Sequence, residues 1–130
     1  MTHFDKEKVL LLQKLVIESS GGEFGVRDFD LLDSALQSAY QTFDGKDLFP
    51  TKEEKAARLG FGLVNNHAFV DGNKRIGLLV MISFLELGGI RINATDDELV
   101  EVGLGLATGE ISYENLVAWI EKHKKVTSHK

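Results

Sequence analysis

The segment from Asn73 to Leu87 constrains the fold more than any other part of this sequence. Its apolar residues point to nearly every side of a helix: Ile76, Leu78, Leu79, Val80, Met81, Ile82, Phe84 and Leu85. A helix that is apolar all round has no face suited to water and belongs in the interior of a bundle. The sequence therefore predicts an all-α protein, a compact bundle of about six helices around this central buried helix.

Periodicity and capping signals place the other helices over residues 5–20, 28–40, 51–66, 96–107 and 112–124. Asp28 is the expected N-cap of the second helix, and Thr51 with Glu54 matches a capping box. Gly60 within the third helix implies close approach to a neighbouring helix, because glycine otherwise weakens a helix. Residues 41–50 fit a loop or a short hairpin, and residues 90–92 a short extended piece.

Composition excludes several classes of protein. The 130 residues fit one domain, 1–130, and 43% hydrophobic content is ordinary for a soluble globular chain. The absence of cysteine rules out disulfides and thiolate chemistry, and the net charge of −5 argues against direct nucleic-acid binding. Without an apolar run of spanning length or a signal peptide, we expect a cytoplasmic protein with no membrane partner.

The C-terminal tail is the only basic stretch of the sequence. It contains Lys122, His123, Lys124, Lys125, His129 and Lys130. A solvated, frayed helix end is the simplest interpretation of such a tail.

Nine residues directly in front of the central helix combine unusual chemistry: His67-Ala68-Phe69-Val70-Asp71-Gly72-Asn73-Lys74-Arg75. His67 fits a general base, with a capping or surface histidine as the alternative. Asp71 fits a helix N-cap, a Mg²⁺ ligand or both. Phe69 fits an apolar anchor that positions the loop.

The end of this run predicts an anion site. Gly72 permits a tight turn, Asn73 offers an amide, and Lys74 and Arg75 offer cations for phosphate. A solvated basic face is the alternative, but cations at a helix N-terminus oppose the helix dipole. Their placement therefore suggests an anionic ligand, and the residues alone favour binding of a phosphate compound and transfer of a phosphoryl-containing group.

The string HAFVDGNKR resembles the signature of the Fic/Doc family, whose common form is H-P-F-x-[D/E]-G-N-G-R-x-x-R. It resembles more narrowly the Doc (death-on-curing) toxin subgroup, in which lysine replaces the second glycine. Further similarity lies in Gly21-Gly22 with residues 25–28 (GVRD), in residues 32–36 (LDSAL) and in residues 107–112 (ATGEIS). The likeness therefore covers most of the chain in order.

This resemblance implies a Fic-like fold with at most a short β-hairpin flap, and a role for each motif residue. His67 would deprotonate an incoming protein hydroxyl, and Asp71 would hold Mg²⁺ on the phosphates of ATP. Gly72, Asn73, Lys74 and Arg75 would line the anion site.

Two positions depart from the common Fic pattern, which accompanies AMP transfer. Lys74 replaces a glycine, and Leu78 replaces the second arginine. In the Doc subgroup these departures accompany an inverted nucleotide pose and phosphoryl transfer to elongation factor Tu. The resemblance thus implies a Doc-like toxin that blocks translation. The alternatives are a Fic-type AMP transferase and a non-catalytic co-regulator that binds nucleotide or antitoxin.

The resemblance also implies a partner. Fic relatives often carry a self-inhibitory pattern, [S/T]-x-x-x-E-[G/N]. The nearest match in this sequence is Ser19 with Glu23, but the next residue is Phe24 instead of Gly or Asn. A Doc-like chain without that pattern would need an antitoxin in trans, and such antitoxins bind operator DNA themselves. Residues 43–49 would then belong to a flap that grips an extended segment of the target protein.

Overall fold

The computed structural model describes residues 6–126. Six helices are present in that range: α1 (Lys6–Ser20), α2 (Phe29–Ser38), α3 (Lys52–Asn65), α4 (Asn73–Leu87), α5 (Asp96–Thr108) and α6 (Tyr113–His123). Four short strands form two antiparallel pairs: β1 (Thr42–Phe43) with β2 (Lys46–Asp47), and β3 (Ile90–Ile92) with β4 (Lys124–Val126). The prediction of an all-α bundle is confirmed.

The predicted central helix is α4, and its bounds agree with the prediction. It packs against α1, α3, α5 and β3, with its closest association to α3. Its buried residues follow at helical spacing along one side of the helix: Ile76, Gly77, Val80, Met81, Phe84 and Leu85. Leu78, Leu79 and Ile82, on the other side, are half-buried. The packing of α4 against three helices and β3 thereby fixes the position of its N-terminus.

Glycines set the distance between α3 and α4. A methyl carbon added at Gly60 would lie 3.1 Å from Met81 Cβ, and one at Gly77 would lie 2.6 Å from Val64 Cγ2. Real Cβ atoms do not approach a neighbour as closely as the contact at Gly77, so this packing needs glycine there, whereas the tight contact at Gly60 would need a small shift of Met81. The close approach expected at Gly60 is confirmed.

The side-chain caps predicted for the second and third helices are confirmed. Asp28 accepts the Leu31 N–H at the start of α2, and Thr51 with Glu54 forms a complete capping box at α3. Observed helix bounds differ from the predicted ones by one or two residues, which is the usual precision of helix ends. Asp5, where the first helix was expected to begin, lies outside the described residues.

Residues 42–47 form a hairpin rather than an open loop. Thr42 pairs with Asp47 and Phe43 with Lys46, and the two turn residues, Asp44 and Gly45, have φ of 54° and 78°. Such left-handed pairs suit two-residue hairpin turns. The ammonium group of Lys55, a residue 5% exposed, joins the hairpin to α3 by donating to Asp47 Oδ2 at 3.2 Å and to the Phe49 carbonyl.

The prediction of a frayed helix end for the basic tail is wrong for Lys124 and Lys125. The chain leaves α6 after His123 and forms β4, whose residues pair with β3. Lys124 Nζ also contacts Glu53 Oε2 at 2.7 Å and Glu121 Oε1 at 2.8 Å. Strand pairing and these ion pairs satisfy groups that a frayed end would leave to water. His129 and Lys130 lie outside the described residues.

Between Lys6 and Val126, the helices lack the combination of length and apolar character that a membrane span requires.

Candidate functional site

The nine-residue motif forms the loop between α3 and α4 together with the first turn of α4. Asn66, the C-cap of α3, shapes the loop start by accepting the Ala68 N–H at 3.2 Å and donating to Leu31 O at 2.8 Å. Phe69 is 1% exposed and lies in the core, the position that an apolar anchor needs. The loop is therefore fixed by the packing of Phe69 in the core and by the hydrogen bonds of the Asn66 side chain.

Asn73 uses its side chain to shape this loop. Its Oδ1 accepts the Phe69 N–H at 3.1 Å, and its Nδ2 donates to the Phe69 carbonyl at 3.1 Å. One amide thus satisfies both backbone groups of the buried anchor. The side-chain amide predicted to contact phosphate is engaged with Phe69 instead. Phosphate binding by Asn73 stays a prediction, for which its backbone N–H in the first turn of α4 is available.

Residues 22–28, which precede α2, lie along the motif loop like a short strand; we call them the collar. Their main-chain contacts are Arg27 N to Ala68 O (2.7 Å), Asp28 N to Ala68 O (3.1 Å), Val70 N to Gly25 O (3.1 Å) and a bridge pairing of Val26 with Phe69. The collar therefore fixes the course of the motif loop over residues 68–70.

Gln13 of α1 joins the collar to the motif. The residue is fully buried, and its Nε2 donates to Gly25 O and to Asp71 O, each at 3.2 Å. Its Oε1 accepts the Gly25 N–H at 3.3 Å. A buried amide with its hydrogen bonds satisfied fixes the groups that it contacts, so Gln13 holds the backbone at Asp71.

His67 is exposed at the start of the loop, within reach of solvent and of a large substrate. Its φ of 55° lies in the left-handed region, which is uncommon for a residue with a side chain. The guanidinium of Arg27 donates through Nε to the His67 carbonyl at 2.8 Å. The imidazole is thus carried on a constrained backbone, as a general base requires, and its role as a base stays a prediction.

Asp71 is exposed and is not the N-cap of α4, so that alternative is wrong. Gly72 occupies the N-cap position and makes no side-chain capping bond, while Asp71 Oδ2 instead accepts the Glu23 N–H at 2.8 Å. This collar contact fixes the orientation of the carboxylate. Among the described residues the second oxygen, Oδ1, has no hydrogen-bond partner.

The donor set around Asp71 fits Mg²⁺ only in company with phosphate. Between residues 6 and 126, no three His, Cys, Asp or Glu side chains come together as a metal site. Mg²⁺ commonly uses one or two carboxylates, phosphate oxygens of the substrate and several waters. A single oriented, exposed carboxylate matches that pattern and does not match a metal cage built from protein alone.

The N-terminus of α4 is open to an anion. Gly72 adopts φ of 82°, and the first turn of α4 contains no acidic residue. Lys74 and Arg75 are both exposed there, and Arg75 Nη1 donates to Ser20 Oγ at the end of α1. Unpaired N–H groups, the positive end of the helix dipole and two exposed cationic residues therefore lie at the same end of α4.

A cavity of about 350 Å³ adjoins this first turn, between α4 and α5. Its lining residues are Lys74, Arg75, Leu78, Asp96, Leu99, Val100, Gly103 and Leu104. Mostly apolar walls with two cations at one side suit a flat, weakly polar ring attached to an anion. Of the predicted site residues, Lys74 and Arg75 line the cavity, whereas His67, Asp71 and Gly72 belong to the loop.

Sequence reasoning missed the supporting residues of this site, Gln13, Glu23 and Arg27. Gln13 left a signal, because it is a polar residue one helical turn after Val9 on the inward face of α1. Glu23 acts through its backbone N–H and left none. Arg27 was noted only as part of a similar string, without a role.

Comparison with known proteins assigns the family. The model of the Fic/DOC family matches residues 3–85, which include the collar, the motif loop and most of α4. The curated protein named Toxin Doc from Mycolicibacterium smegmatis (strain ATCC 700084 / mc(2)155) is 39% identical over 95 residues, covering 73% of this chain and 71% of that protein. With this extent of matching sequence around the described loop and helix, the chain belongs to the Fic/Doc family, in its Doc toxin subgroup.

Proposed function

We propose that this chain is the toxin of a toxin–antitoxin module and acts as a protein kinase. It transfers the γ-phosphoryl group of ATP to a hydroxyl side chain of a translation factor resembling elongation factor Tu, and so blocks translation in the cytoplasm. The observation that carries this proposal is the N-terminus of α4, which has no side-chain cap, two exposed cations, and exposed His67 and Asp71 on the adjoining loop.

The phosphates of ATP would bind at the first turn of α4. Backbone N–H groups there have no partner within the helix, and Lys74 and Arg75 add charge-assisted donors. The oxygen of Asp71 that Glu23 leaves free would hold Mg²⁺, which when bound neutralises charge on the phosphates. The cavity beside Arg75 offers apolar walls to the nucleoside.

His67 would act as the base. As the hydroxyl oxygen of the target approaches the γ-phosphorus, the imidazole takes the hydroxyl proton. A bond forms between that oxygen and phosphorus, the bond from phosphorus to the β–γ bridging oxygen breaks, and ADP leaves. Most of the catalysis in such transfers comes from positioning and charge neutralisation, which a constrained loop and a helix terminus supply.

Two residues favour phosphoryl transfer over AMP transfer. Lys74 occupies the position of a glycine in the common Fic signature. Its side chain would fill the space that one phosphate of the nucleotide needs in the AMP-transferring arrangement. Leu78 occupies the position of the second arginine and lines the cavity with an apolar side chain. These departures support the Doc-like outcome over the AMP-transferring one.

An antitoxin would restrain the enzyme in trans. The sequence has no match to the self-inhibitory pattern of Fic relatives, which supports a separate inhibitor. The hairpin of β1 and β2 is the candidate flap for the target, since its residues are exposed and Phe43 is 75% exposed. An extended segment of the target could add to its free edge.

The test is incubation with elongation factor Tu and ATP labelled at either the α- or the γ-phosphate, followed by intact-mass measurement. A gain of one phosphate, with γ-label only, supports the proposal. A gain of AMP would establish a nucleotidyltransferase, and an unchanged mass a non-catalytic protein. His67→Ala should slow transfer by about a hundredfold to ten-thousandfold while stabilisation by ATP persists, because the base does not bind the phosphates. Transfer at the normal rate would remove His67 from this role.

A further inference from the structure

Arg27 lies forty residues before the motif, yet two of its groups bind consecutive carbonyls of the motif loop. Its backbone N–H donates to Ala68 O at 2.7 Å, and its side-chain Nε donates to His67 O at 2.8 Å. A hydrogen bond from a guanidinium is stronger than one between neutral groups. Arg27 therefore clamps the loop at the residue that carries the imidazole.

The clamp acts on a backbone that needs one. In the described part of the chain, His67 and Asp44 are the non-glycine residues with positive φ, and Asp44 occupies a hairpin turn where that conformation is expected. His67 directly follows Asn66, the C-cap of α3, at a position where helices often adopt a left-handed residue, but that residue is usually glycine. A residue with a side chain persists in this region only when its surroundings impose the conformation.

The other motif residues are held by different contacts. Ala68, Phe69 and Val70 bond to main-chain groups of the collar or to Asn73, and Asp71 is held by Gln13 and Glu23. Within residues 6–126, Arg27 Nε supplies the hydrogen bond that reaches His67. Loss of the guanidinium would therefore release His67 and leave the rest of the loop in place.

We propose that Arg27 is a positioning residue for His67, holding its backbone in the left-handed conformation that aims the imidazole at the incoming hydroxyl. The inference rests on the proposed function for its catalytic consequence, but the positioning itself does not depend on which group is transferred. Because ATP would bind at the first turn of α4, Arg27 affects the rate of the chemical step and not the affinity for nucleotide.

The experiment compares Arg27→Ala, Arg27→Lys and a control, Arg91→Ala. Arg91 is an exposed arginine on β3, beyond the far end of α4 and about 20 Å from the motif along the helix axis. We expect Arg27→Ala to lower kcat about tenfold to a hundredfold with KM for ATP nearly unchanged. Arg27→Lys should recover little, since lysine has a methylene carbon where arginine has the Nε that donates to His67, and Arg91→Ala should match the parent protein.

Chemical rescue separates positioning from a general loss of structure. Added guanidinium ion, well below denaturing concentration, should restore part of the kcat of Arg27→Ala, and the same concentration of sodium chloride should not. A merely destabilised variant would lose activity further in guanidinium. Unchanged kcat in Arg27→Ala, or a rise in KM for ATP with constant kcat, would overturn the proposal.

A measurement without catalysis distinguishes failure of this inference from failure of the proposed function. The NMR signals of the His67 ring are recorded in the parent protein and in Arg27→Ala, assigned with His67→Ala. We expect the ring signals to move and broaden in Arg27→Ala, and not in Arg91→Ala, even if the chain transfers nothing. Ring signals identical to those of the parent protein would overturn the positioning role.

Discussion

The N-terminus of α4 differs from those of α2, α3, α5 and α6 in how its backbone N–H groups are satisfied. Every α-helix begins with backbone N–H groups that have no partner within the helix. In the other four helices a side chain at the N-cap accepts one of them: Asp28, Thr51, Thr95 and Ser112. At α4 the N-cap is Gly72, which has no side chain to offer.

The charges differ in the same direction. The first turn of α5 contains Asp96, Asp97 and Glu98, which complement the positive end of the helix dipole. The first turn of α4 contains Lys74 and Arg75 and no acidic residue. A side chain caps the N-terminus of α2, α3, α5 and α6, whereas the N-terminus of α4 would be completed by an anion. An uncapped helix N-terminus with cations is less stable than a capped one with acidic residues, and this is the place where we propose that phosphate binds.

Lys74→Glu gives the largest expected effect on this comparison, because it makes α4 begin as α5 does. The new carboxylate would repel phosphate, so phosphoryl transfer should fall at least about a hundredfold and stabilisation by ATP should disappear. The ligand-free protein should gain about 0.3–1 kcal/mol of unfolding free energy, since an acid replaces a cation at the positive end of the dipole. Thermal unfolding with and without ATP measures both.

Lys122→Glu is the matched control for this charge reversal. Lys122 is exposed in the last turn of α6, where a cation is favourable. Its reversal should therefore lower the unfolding free energy and leave transfer unchanged. If Lys74→Glu instead destabilises the protein and retains stabilisation by ATP, the first turn of α4 is not the anion site.

Ser112→Ala gives an intermediate effect at a helix that is complete. Ser112 accepts the Asn115 N–H at 3.1 Å at the start of α6, and its loss should cost about 1 kcal/mol. Transfer by the folded protein should not change. Urea unfolding gives the free energy, and Ser112→Thr, which keeps a capping hydroxyl, should stay near the parent value. Reduced transfer by folded Ser112→Ala would show that capped helix starts also serve the site.

The same difference explains which parts of the fold the sequence predicts. A side-chain cap is a local signal, so the capping box at Thr51 and the N-cap at Asp28 could be identified within a few residues of the chain. The bounds of α4 followed from the all-round apolar character of residues 73–87. In both cases the information lies within the element itself.

Contacts between distant segments could not be predicted in this way. The strand at residues 124–126 depends on pairing with β3, more than thirty residues earlier, and no periodicity of the tail indicates it. The motif indicated which residue types gather at the site. It did not indicate that the side-chain amide of Asn73 makes hydrogen bonds with the backbone of Phe69, or that the backbone N–H of Glu23 orients Asp71.

The smallest expected effect is a loss of unfolding free energy at low pH, caused by protonation of Glu98 at the N-terminus of α5. Its carboxylate accepts the Thr95 N–H at 2.8 Å in the capping box of α5, and this bond, followed by the contact with His123, lowers the pKa of Glu98 from its ordinary value of 4.5. A carboxylate whose pKa is lower in the folded than in the unfolded state contributes its full stabilisation at pH values above its unfolded-state pKa. That stabilisation is lost as pH falls below 4.5 through the folded value.

Glu98→Gln separates this titration from the geometry of the cap. Glutamine also serves at this position of a capping box but carries no charge to titrate. Between about pH 6 and about pH 3, the unfolding free energy of the parent protein should therefore fall more steeply than that of Glu98→Gln. Urea unfolding across this range measures the difference. Equal slopes would mean that the Glu98 charge contributes nothing, and the side chain of Glu98 would then stabilise the start of α5 through hydrogen bonding alone.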